Sequence, residues 1–253
     1  MLLGTMTGTA EHIHVLGVRF DLMPRTHVVE QILGWMAEGT RRMVVTAGPE
    51  LVMQSLSDAK LQRILHVADL VTPDGIGIVW AARRMGLRGV ERVTGVELVE
   101  DLLATALERK QPLRVFILGA TPSALSACLK TFRRRYPECE FAGHHGYFET
   151  AEWPQILAEI ERFRPNLWLV GLGQPRQEKL IFEYLKDLPP CVGIGVGGSI
   201  DVWGGTLKRA PAWIRRLNLE WLYRLLRQPR RWRRQLALPR FAWRVVRSKQ
   251  KAS

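Results

Sequence analysis

The chain has 253 residues, which is enough for one α/β domain with an appendage and for a substantial hydrophobic core. Hydrophobic residues make up 47% and charged residues 24%, as in ordinary globular proteins, and no window of 18 apolar residues predicts a membrane-spanning helix. The net charge of +13 is unevenly placed, because residues 206–253 carry +14 and residues 1–205 carry −1.

The cysteines and the first residues indicate a cellular compartment. Cys128, Cys139 and Cys191 are far apart and form no CxxC pair, which argues against a disulfide framework and against a zinc site. The first eleven residues lack the apolar segment of a secretory signal. We therefore expect a protein of the reducing cytoplasm.

Short apolar runs alternate with longer stretches of helical periodicity along the chain. The predicted strands are residues 13–20, 43–46, 70–72, 114–118, 167–170 and 191–196. The predicted helices include residues 27–38, 76–85, 96–109, 123–136, 153–162 and 178–185. This alternation predicts an α/β fold with a mostly parallel, Rossmann-like sheet and helices on both faces, followed by a basic helical C-terminal appendage.

Glycine-containing turns follow several predicted strands. Their sequences are TAGPE (46–50), TPDGIG (72–77), LGATP (118–122), GLGQPRQE (171–178) and GVGG (195–198). Ligands of open parallel sheets bind beyond the carboxyl ends of the strands, and glycine lets backbone N–H groups approach a phosphate. None of the turns matches GxGxxG or GxxxxGK[ST], so each one alone is better explained by a tight strand–helix connection.

Asp74 is the acidic residue of greatest interest, because it directly follows an apolar strand and lies between Pro73 and Gly75. One interpretation is an N-cap for the helix that begins near Ile76. The other is a general base, held at a strand end within reach of a substrate hydroxyl. The local sequence leaves both open.

Arg92 and Gln177 also have two interpretations each. Arg92 is either a solvated charge or a ligand of a diphosphate, whose oxygens pair well with a planar guanidinium. Gln177 and Glu178 either open a helix or, in the case of Gln177, hydrogen-bond a sugar or a nucleotide. The absence of a DxD triplet counts against metal-assisted diphosphate binding, and the absence of GxSxG removes support for acyl hydrolysis.

The C-terminal segment carries the strongest physical signal. Ile214, Leu217, Trp221, Leu222 and Leu225 recur at helical spacing among many arginines, and four of the nine tryptophans lie in this segment. Basic helices with interspersed tryptophan favour an anionic membrane surface, where each Lys or Arg contributes about 1 kcal/mol before screening. Nucleic-acid binding through phosphate contacts and a solvated helix face remain the alternatives.

Several motifs in the same order give the chain a resemblance to the WecG/TagA/CpsF family of bacterial glycosyltransferases, over about residues 14–246. They are TPDGIG (72–77), RVTG (92–95), FILGA (116–120), GLGQPRQE (171–178), GVGGSID (195–201), KRAP (208–211) and LEW (219–221). Ordered matches of this kind are more specific than any one glycine turn.

The resemblance implies a reaction and a set of residues. Family members transfer N-acetylmannosamine, its uronic acid or glucose from UDP to a polyprenyl-diphosphate-linked saccharide, with inversion and without a metal or other cofactor. Asp74 matches the proposed catalytic base, and Thr46, Arg92 and Gln177 match further active-site positions. The appendage is thought to close over the site at the membrane, where its matching arginines would contact diphosphate: Arg224, Arg231 and Arg234.

Gly48 departs from the family pattern, because many relatives have Asn at this position. The lost side-chain contact leads us to expect a donor other than UDP-N-acetylmannosamine, such as UDP-glucose or a uronic acid. Turnover of a panel of UDP-sugars tests this expectation.

We therefore expect a catalytic α/β domain over residues 10–205 and a basic, membrane-associating appendage over residues 206–253. The expected partners are a UDP-sugar donor, a lipid-linked saccharide acceptor in cell-surface polysaccharide synthesis and the anionic inner face of the bacterial cell membrane. Nucleic acid is not an expected partner, and a homo-oligomer remains open. The rival hypotheses are a nucleic-acid-binding protein that uses the basic tail and a UDP-sugar-binding scaffold without turnover.

Overall fold

The computed structural model describes residues 12–211, 213–214, 217, 219–227 and 232–248. The protein is an α/β protein, as the sequence predicts. Its central sheet has six parallel strands in the order β4-β3-β8-β7-β5-β6. These strands are β3 (Arg42–Ala47), β4 (Leu70–Pro73), β5 (Arg114–Gly119), β6 (Glu140–His144), β7 (Leu167–Gly171) and β8 (Val192–Gly195).

Helices connect the strands and continue beyond the last one. They are α1 (Arg25–Ala37), α2 (Pro49–Ser55), α3 (Ala59–Val67), α4 (Ile76–Arg84), α5 (Gly95–Glu108), α6 (Pro122–Arg135), α7 (Trp153–Phe163), α8 (Arg176–Tyr184), α9 (Ser199–Trp203), α10 (Glu220–Arg227), α11 (Trp232–Gln235) and α12 (Ala237–Arg247). A short 3₁₀ turn at Thr150–Glu152 precedes α7. The predicted helices and all but the first predicted strand lie within two residues of these bounds.

The first predicted strand is wrong. Residues 13–20 form an antiparallel hairpin of two strands, β1 (His12–Val15) and β2 (Val18–Asp21), outside the central sheet. Leu16 and Gly17 have φ values of 51° and 85°, which is the left-handed conformation that a two-residue hairpin turn requires. Leucine rarely adopts this conformation, so of the two residues typical of such a turn only the glycine is present in the sequence.

Alternate residues of the strands separate the core into two clusters, one on each face of the sheet. From β3, Met43 and Val45 pack into one cluster with α2, α3 and α8, whereas Val44 packs into the other with α1, α5 and α6. The first cluster also includes Phe241 and Val245 of α12, which packs against α2 and α4. The C-terminal segment therefore shares its core with the α/β body.

Candidate active site

A cavity of about 550 Å³ lies beyond the carboxyl ends of β3, β4, β7 and β8. Its walls come from the turns that follow these four strands, from the first turns of α4 and α5, and from α10 to α12. Polar and charged lining residues include Thr46, Glu50, Asp74, Arg92, Thr94, Gln174, Gln177, Ser199, Arg209, Glu220 and Gln235. The four predicted positions Thr46, Asp74, Arg92 and Gln177 are thus brought together at one cavity.

The turns after β3 and β4 are in direct contact. Thr46 pairs with Thr72 in the parallel ladder, and the Asp74 N–H donates to the Ala47 carbonyl at 2.9 Å. A Cβ on Gly48 would lie 2.7 Å from the Asp74 carbonyl oxygen. Because this neighbour is a backbone atom, a Cβ at position 48 of this chain would require the Asp74 backbone to shift.

Asp74 is half-buried and lines the cavity. The N-cap of α4 is Gly75, with φ +108°, and Asp74 precedes it by one residue. The interpretation of Asp74 as the N-cap is therefore wrong. Glycine occupies the cap because the strand must turn sharply into the helix at that point.

Thr46 and Gln174 join the turns of different strands. The buried Thr46 hydroxyl donates to the Gly195 carbonyl of β8 at 3.3 Å. Gln174, which follows β7, donates from Nε2 to the Thr46 carbonyl at 3.1 Å. These bonds cross three strand ends, so they hold the floor of the cavity as one unit.

Arg92 belongs to an ion-pair network at the cavity wall. Its guanidinium lies 3.5 Å from Glu220 of α10 and 4.0 Å from Glu97 of α5, and only 19% of its side chain is exposed. Glu97 also pairs with Arg209 at 2.5 Å and with Arg25 at 3.3 Å. Burial raises the pKa of Glu97, but the charges of Arg209 and Arg92 outweigh burial, so the pKa is lowered overall.

Gln177 and Glu178 are the first buried residues of α8, each about 1% exposed. Gln177 donates from Nε2 to Glu178 Oε1 at 2.8 Å, and its Oε1 accepts the Gly197 N–H at 2.9 Å. Burial raises the pKa of Glu178 to about 7, although hydrogen bonds from the Gln177 side chain, the Glu178 backbone and Gln174 act in the opposite direction.

The turn after β5 does not join the cavity lining among the described residues. A Cβ on Gly119 would lie 2.4 Å from the Gly171 carbonyl oxygen, so this glycine allows close packing between β5 and β7. Here the tight-connection interpretation accounts for the glycine. The turn after β8, by contrast, lines the cavity with Gly197 and Gly198.

The C-terminal helices cover one side of the cavity. Glu220 and Trp221 of α10, Gln235 of α11 and Leu238 and Phe241 of α12 contribute to its wall. Of the three predicted arginines, Arg231 lies outside the described residues. Arg224 lies on α10 and Arg234 on α11, but their side chains are outside the described part of the structure.

Several lining residues were not singled out from the sequence as site residues. Trp80 follows the helical period of α4, Thr94 is the N-cap of α5, and Arg209 and Glu220 lie in the basic segment. Glu220 has two signals in the sequence, because it is the single acidic residue of 206–253 and it lies in the LEW motif (219–221).

Within residues 12–211 and the later described segments, no group of three or more His, Cys, Asp and Glu side chains is arranged to hold a metal ion. In the same part of the chain, no helix is both long enough and apolar enough to cross a bilayer.

The fold and the site define an α/β protein with a cavity beyond the carboxyl ends of parallel strands, which is where such folds bind their ligands. The model of the glycosyl transferase WecG/TagA/CpsF family matches residues 13–253. The chain belongs to this family, as the motifs of the sequence predict, and it is a glycosyltransferase.

Curated relatives from two bacteria match most of the chain. A protein of Staphylococcus aureus (strain MW2) is 34% identical over 241 residues, which cover 94% of each chain. A protein of Bacillus subtilis (strain 168) is 34% identical over 221 residues, which cover 87% of this chain and 82% of the relative. Both are named N-acetylglucosaminyldiphosphoundecaprenol N-acetyl-beta-D-mannosaminyltransferase.

Proposed function

We propose that the protein transfers a sugar from a UDP-sugar to a polyprenyl-diphosphate-linked saccharide in cell-surface polysaccharide synthesis, with inversion and without a metal. The sugar is N-acetylmannosamine, its uronic acid or glucose. The names of the two relatives support a lipid-linked acceptor. The observation that carries the proposal is the convergence of Asp74, Arg92, Thr46 and Gln177 on one cavity.

Asp74 is the general base of this proposal. Its backbone is fixed by the bond to Ala47, and the residue lines the cavity. The carboxylate takes the proton of the acceptor hydroxyl while that oxygen attacks the anomeric carbon. The bond from that carbon to the UDP oxygen breaks with its electron pair, so UDP leaves as an anion and Asp74 holds the proton.

The positive charge for the leaving group comes from the cavity wall. Arg92 is held there by Glu97 and Glu220, and Arg209 is held beside it by Glu97. A guanidinium fixed before the reaction stabilises the charge that develops on the diphosphate without a cost of reorganisation. Gln177 and Thr46 hold the cavity floor on which the donor lies.

The C-terminal segment is the membrane-associating part in this proposal, and residues 10–205 are the catalytic domain. The exposed apolar side chains described in the C-terminal segment are Trp213, Leu217, Leu219, Trp221, Leu226, Trp232, Leu236, Trp243 and Val246. Combined with a charge of +14, they suit the headgroup region of an anionic inner leaflet better than nucleic acid. Since α10 and α12 also line the cavity, membrane contact brings the acceptor to the site.

The test is radiolabelled transfer from a panel of UDP-sugars to a polyprenyl-diphosphate-linked N-acetylglucosamine, with EDTA present. We expect one UDP-sugar to be turned over at the same rate with and without chelator. UDP-sugar binding without transfer to any lipid-linked acceptor would support a scaffold instead. Loss of transfer with EDTA, restored by Mg²⁺, would contradict the metal-independent reaction.

A further inference from the structure

A buried amide–carboxyl pair lies directly under the cavity floor. Gln177 and Glu178 are both about 1% exposed, and the Glu178 carboxyl is not itself part of the cavity lining. Glu178 Oε2 is buried with no hydrogen-bond partner among the described residues. A carboxyl group in such a place costs free energy, so its presence requires a reason.

The carboxyl fixes the direction of the Gln177 amide. An amide has a donor end and an acceptor end, and Gln177 uses both inside the protein. Its Nε2 donates to Glu178 Oε1 at 2.8 Å, which leaves Oε1 to accept the Gly197 N–H at 2.9 Å. Without an acceptor at position 178, the amide loses the partner that distinguishes its two ends.

The end of β8 is fitted closely to this pair. A Cβ on Gly195 would lie 2.6 Å from Gln177 Nε2 and 3.1 Å from Glu178 Oε1. Two residues later, Gly197 turns with φ +51° and lines the cavity beside Gly198. A change in the pair therefore reaches the turn with no intervening space to absorb it.

We propose that Glu178 is a positioning residue of the donor site, which acts through the Gln177 amide on the glycine turn at Gly197. This inference deepens the proposed function and rests on it, because it takes the cavity to be the UDP-sugar site. Glu178 does not touch the donor. It fixes the position of the Gly197 backbone, which contacts the donor.

The ionisation of Glu178 gives the proposal a signature. Burial raises the pKa of this carboxyl to about 7, so it is neutral in mildly acidic solution and ionised in mildly alkaline solution. An ionised carboxylate under the floor repels the two negative charges of a UDP-sugar diphosphate. Donor affinity is therefore highest below pH 7 and falls as the pH rises through that value.

Other charged groups near α8 are paired away from the carboxyl. From α3, Asp58 pairs with Lys179 at 2.5 Å and Lys60 pairs with Glu183 at 2.9 Å, at partly exposed positions. Strands β7 and β8 have no titratable side chain, and the arginine of β3 is at the opposite end of that strand from the cavity. Glu178 is thus the titratable group that α8 places under the floor, whereas Asp74 and Glu50 line the cavity itself.

The experiment is calorimetric titration of the full chain, between pH 6.0 and 8.5, with the UDP-sugar that it turns over and without acceptor. In the wild type we expect the Kd to rise by up to about tenfold over this range, the effect of a one-unit coupling between proton and donor. The matched control is Glu183→Gln, an exposed residue of the same helix, which should reproduce the wild-type profile.

Two variants of Glu178 separate positioning from charge. Glu178→Gln keeps an acceptor for Gln177, so its Kd at pH 6.0 should match the wild type and stay constant with pH. Glu178→Met keeps the volume without the acceptor, so its Kd should be about three- to tenfold higher than that of Glu178→Gln at every pH. Glu178→Gln tests the pH profile even where Glu178→Met fails to fold.

The results distinguish failure of the Glu178 proposal from failure of the proposed UDP-sugar transfer. A Glu178→Gln variant that keeps the wild-type pH profile overturns the inference, as does a folded Glu178→Met variant that binds the donor as tightly as Glu178→Gln. If no UDP-sugar binds the wild type at any pH, the proposed function fails and this inference fails with it.

Discussion

At the scale of single residues, the contact between Gly48 and Asp74 decides where the proposed base stands. A Cβ at position 48 would lie 2.7 Å from the Asp74 carbonyl, so Gly48→Ala must displace the β4 turn. Misplacement of a reacting group by about 1 Å costs up to about 100-fold in rate, so we expect kcat to fall about ten- to a hundredfold.

Steady-state transfer kinetics measure this effect. The control is Gly34→Ala on α1, where an added Cβ meets no atom within 4 Å, and its kcat should be unchanged. A Gly48→Ala enzyme with wild-type kcat would show that the Asp74 backbone needs no such contact. The same variant pair, assayed on the UDP-sugar panel, tests the expectation that position 48 affects donor choice.

Glu178 also predicts a change of stability with pH. Its pKa in the folded protein is about 7 and its ordinary value is 4.5, so the folded state binds a proton that the unfolded state releases. The free energy of unfolding should therefore fall as the pH rises from about 4.5 to 7 and then stay level. In Glu178→Gln this contribution is absent.

Urea denaturation of both proteins at pH 5, 6, 7 and 8 gives the difference. The variant should gain stability relative to the wild type up to about pH 7 and gain no more above it. A constant difference in the free energy of unfolding between the two proteins at all four pH values would mean that Glu178 has the same pKa in the folded and unfolded chains.

Three of the site residues that the sequence and the family resemblance predict share one property. Thr46 and Asp74 directly follow or end strands, and Gln177 opens a helix after one, so local patterns place them at the sheet edge. The network around Arg92 could not be predicted in this way, because Glu97 and Glu220 reach it from different helices. Contacts between distant segments leave no periodic signal in the chain.

At the scale of elements, the Arg92–Glu220 ion pair ties α10 to the rim of the cavity. The Glu220 side chain is only 11% exposed, so loss of its charge leaves α10 less firmly docked. Because loss of one partner destabilises a largely buried ion pair, we expect Glu220→Gln to open the segment on the order of tenfold more often.

Limited trypsin digestion measures this opening, because the C-terminal segment is rich in arginine. Glu220→Gln should be cleaved there on the order of tenfold faster than the wild type, with the α/β body cut at an unchanged rate. Glu183→Gln, which breaks an exposed pair on α8, is the control. Equal cleavage of all three proteins would exclude the docking role.

The strongly apolar strands and periodic helices were predictable, whereas β6, α2, α3 and the short α9 were not among the predictions. Strand β6 (Glu140–His144) lies at the sheet edge and has a glycine and partly exposed residues, so it lacks an apolar run. Helices α2 and α3 are short, and α2 begins at a proline that the sequence presents as part of a turn. Packing on the sheet stabilises them more than their own sequences do.

At the scale of the whole molecule, charge and exposed apolar groups are gathered in one segment. Leu226 and Trp243 are 73% and 55% exposed on basic helices, so their burial in a bilayer would strengthen membrane binding. Each side chain contributes about 1.5 to 3 kcal/mol when fully buried, so Leu226→Ser with Trp243→Ser should weaken vesicle binding by more than about tenfold.

Sedimentation with vesicles containing anionic phospholipid measures this binding. Tyr147→Ser is the control, because Tyr147 is 72% exposed and lies outside the basic segment. Binding of the wild type should weaken as salt is raised, since part of the attraction is electrostatic. Unchanged vesicle binding of the double variant would show that Leu226 of α10 and Trp243 of α12 do not contribute to membrane binding.

In the proposed reaction, Asp74 deprotonates the acceptor in a cavity shared by the sheet and the C-terminal helices. The most direct test of this step is the kcat of Asp74→Asn for sugar transfer, with donor binding measured on the same protein and Asp187→Asn, an exposed residue, as control. Loss of a general base costs a factor of about 100 to 10,000, so we predict that loss with donor affinity retained. A transfer rate near that of the wild type would contradict the account.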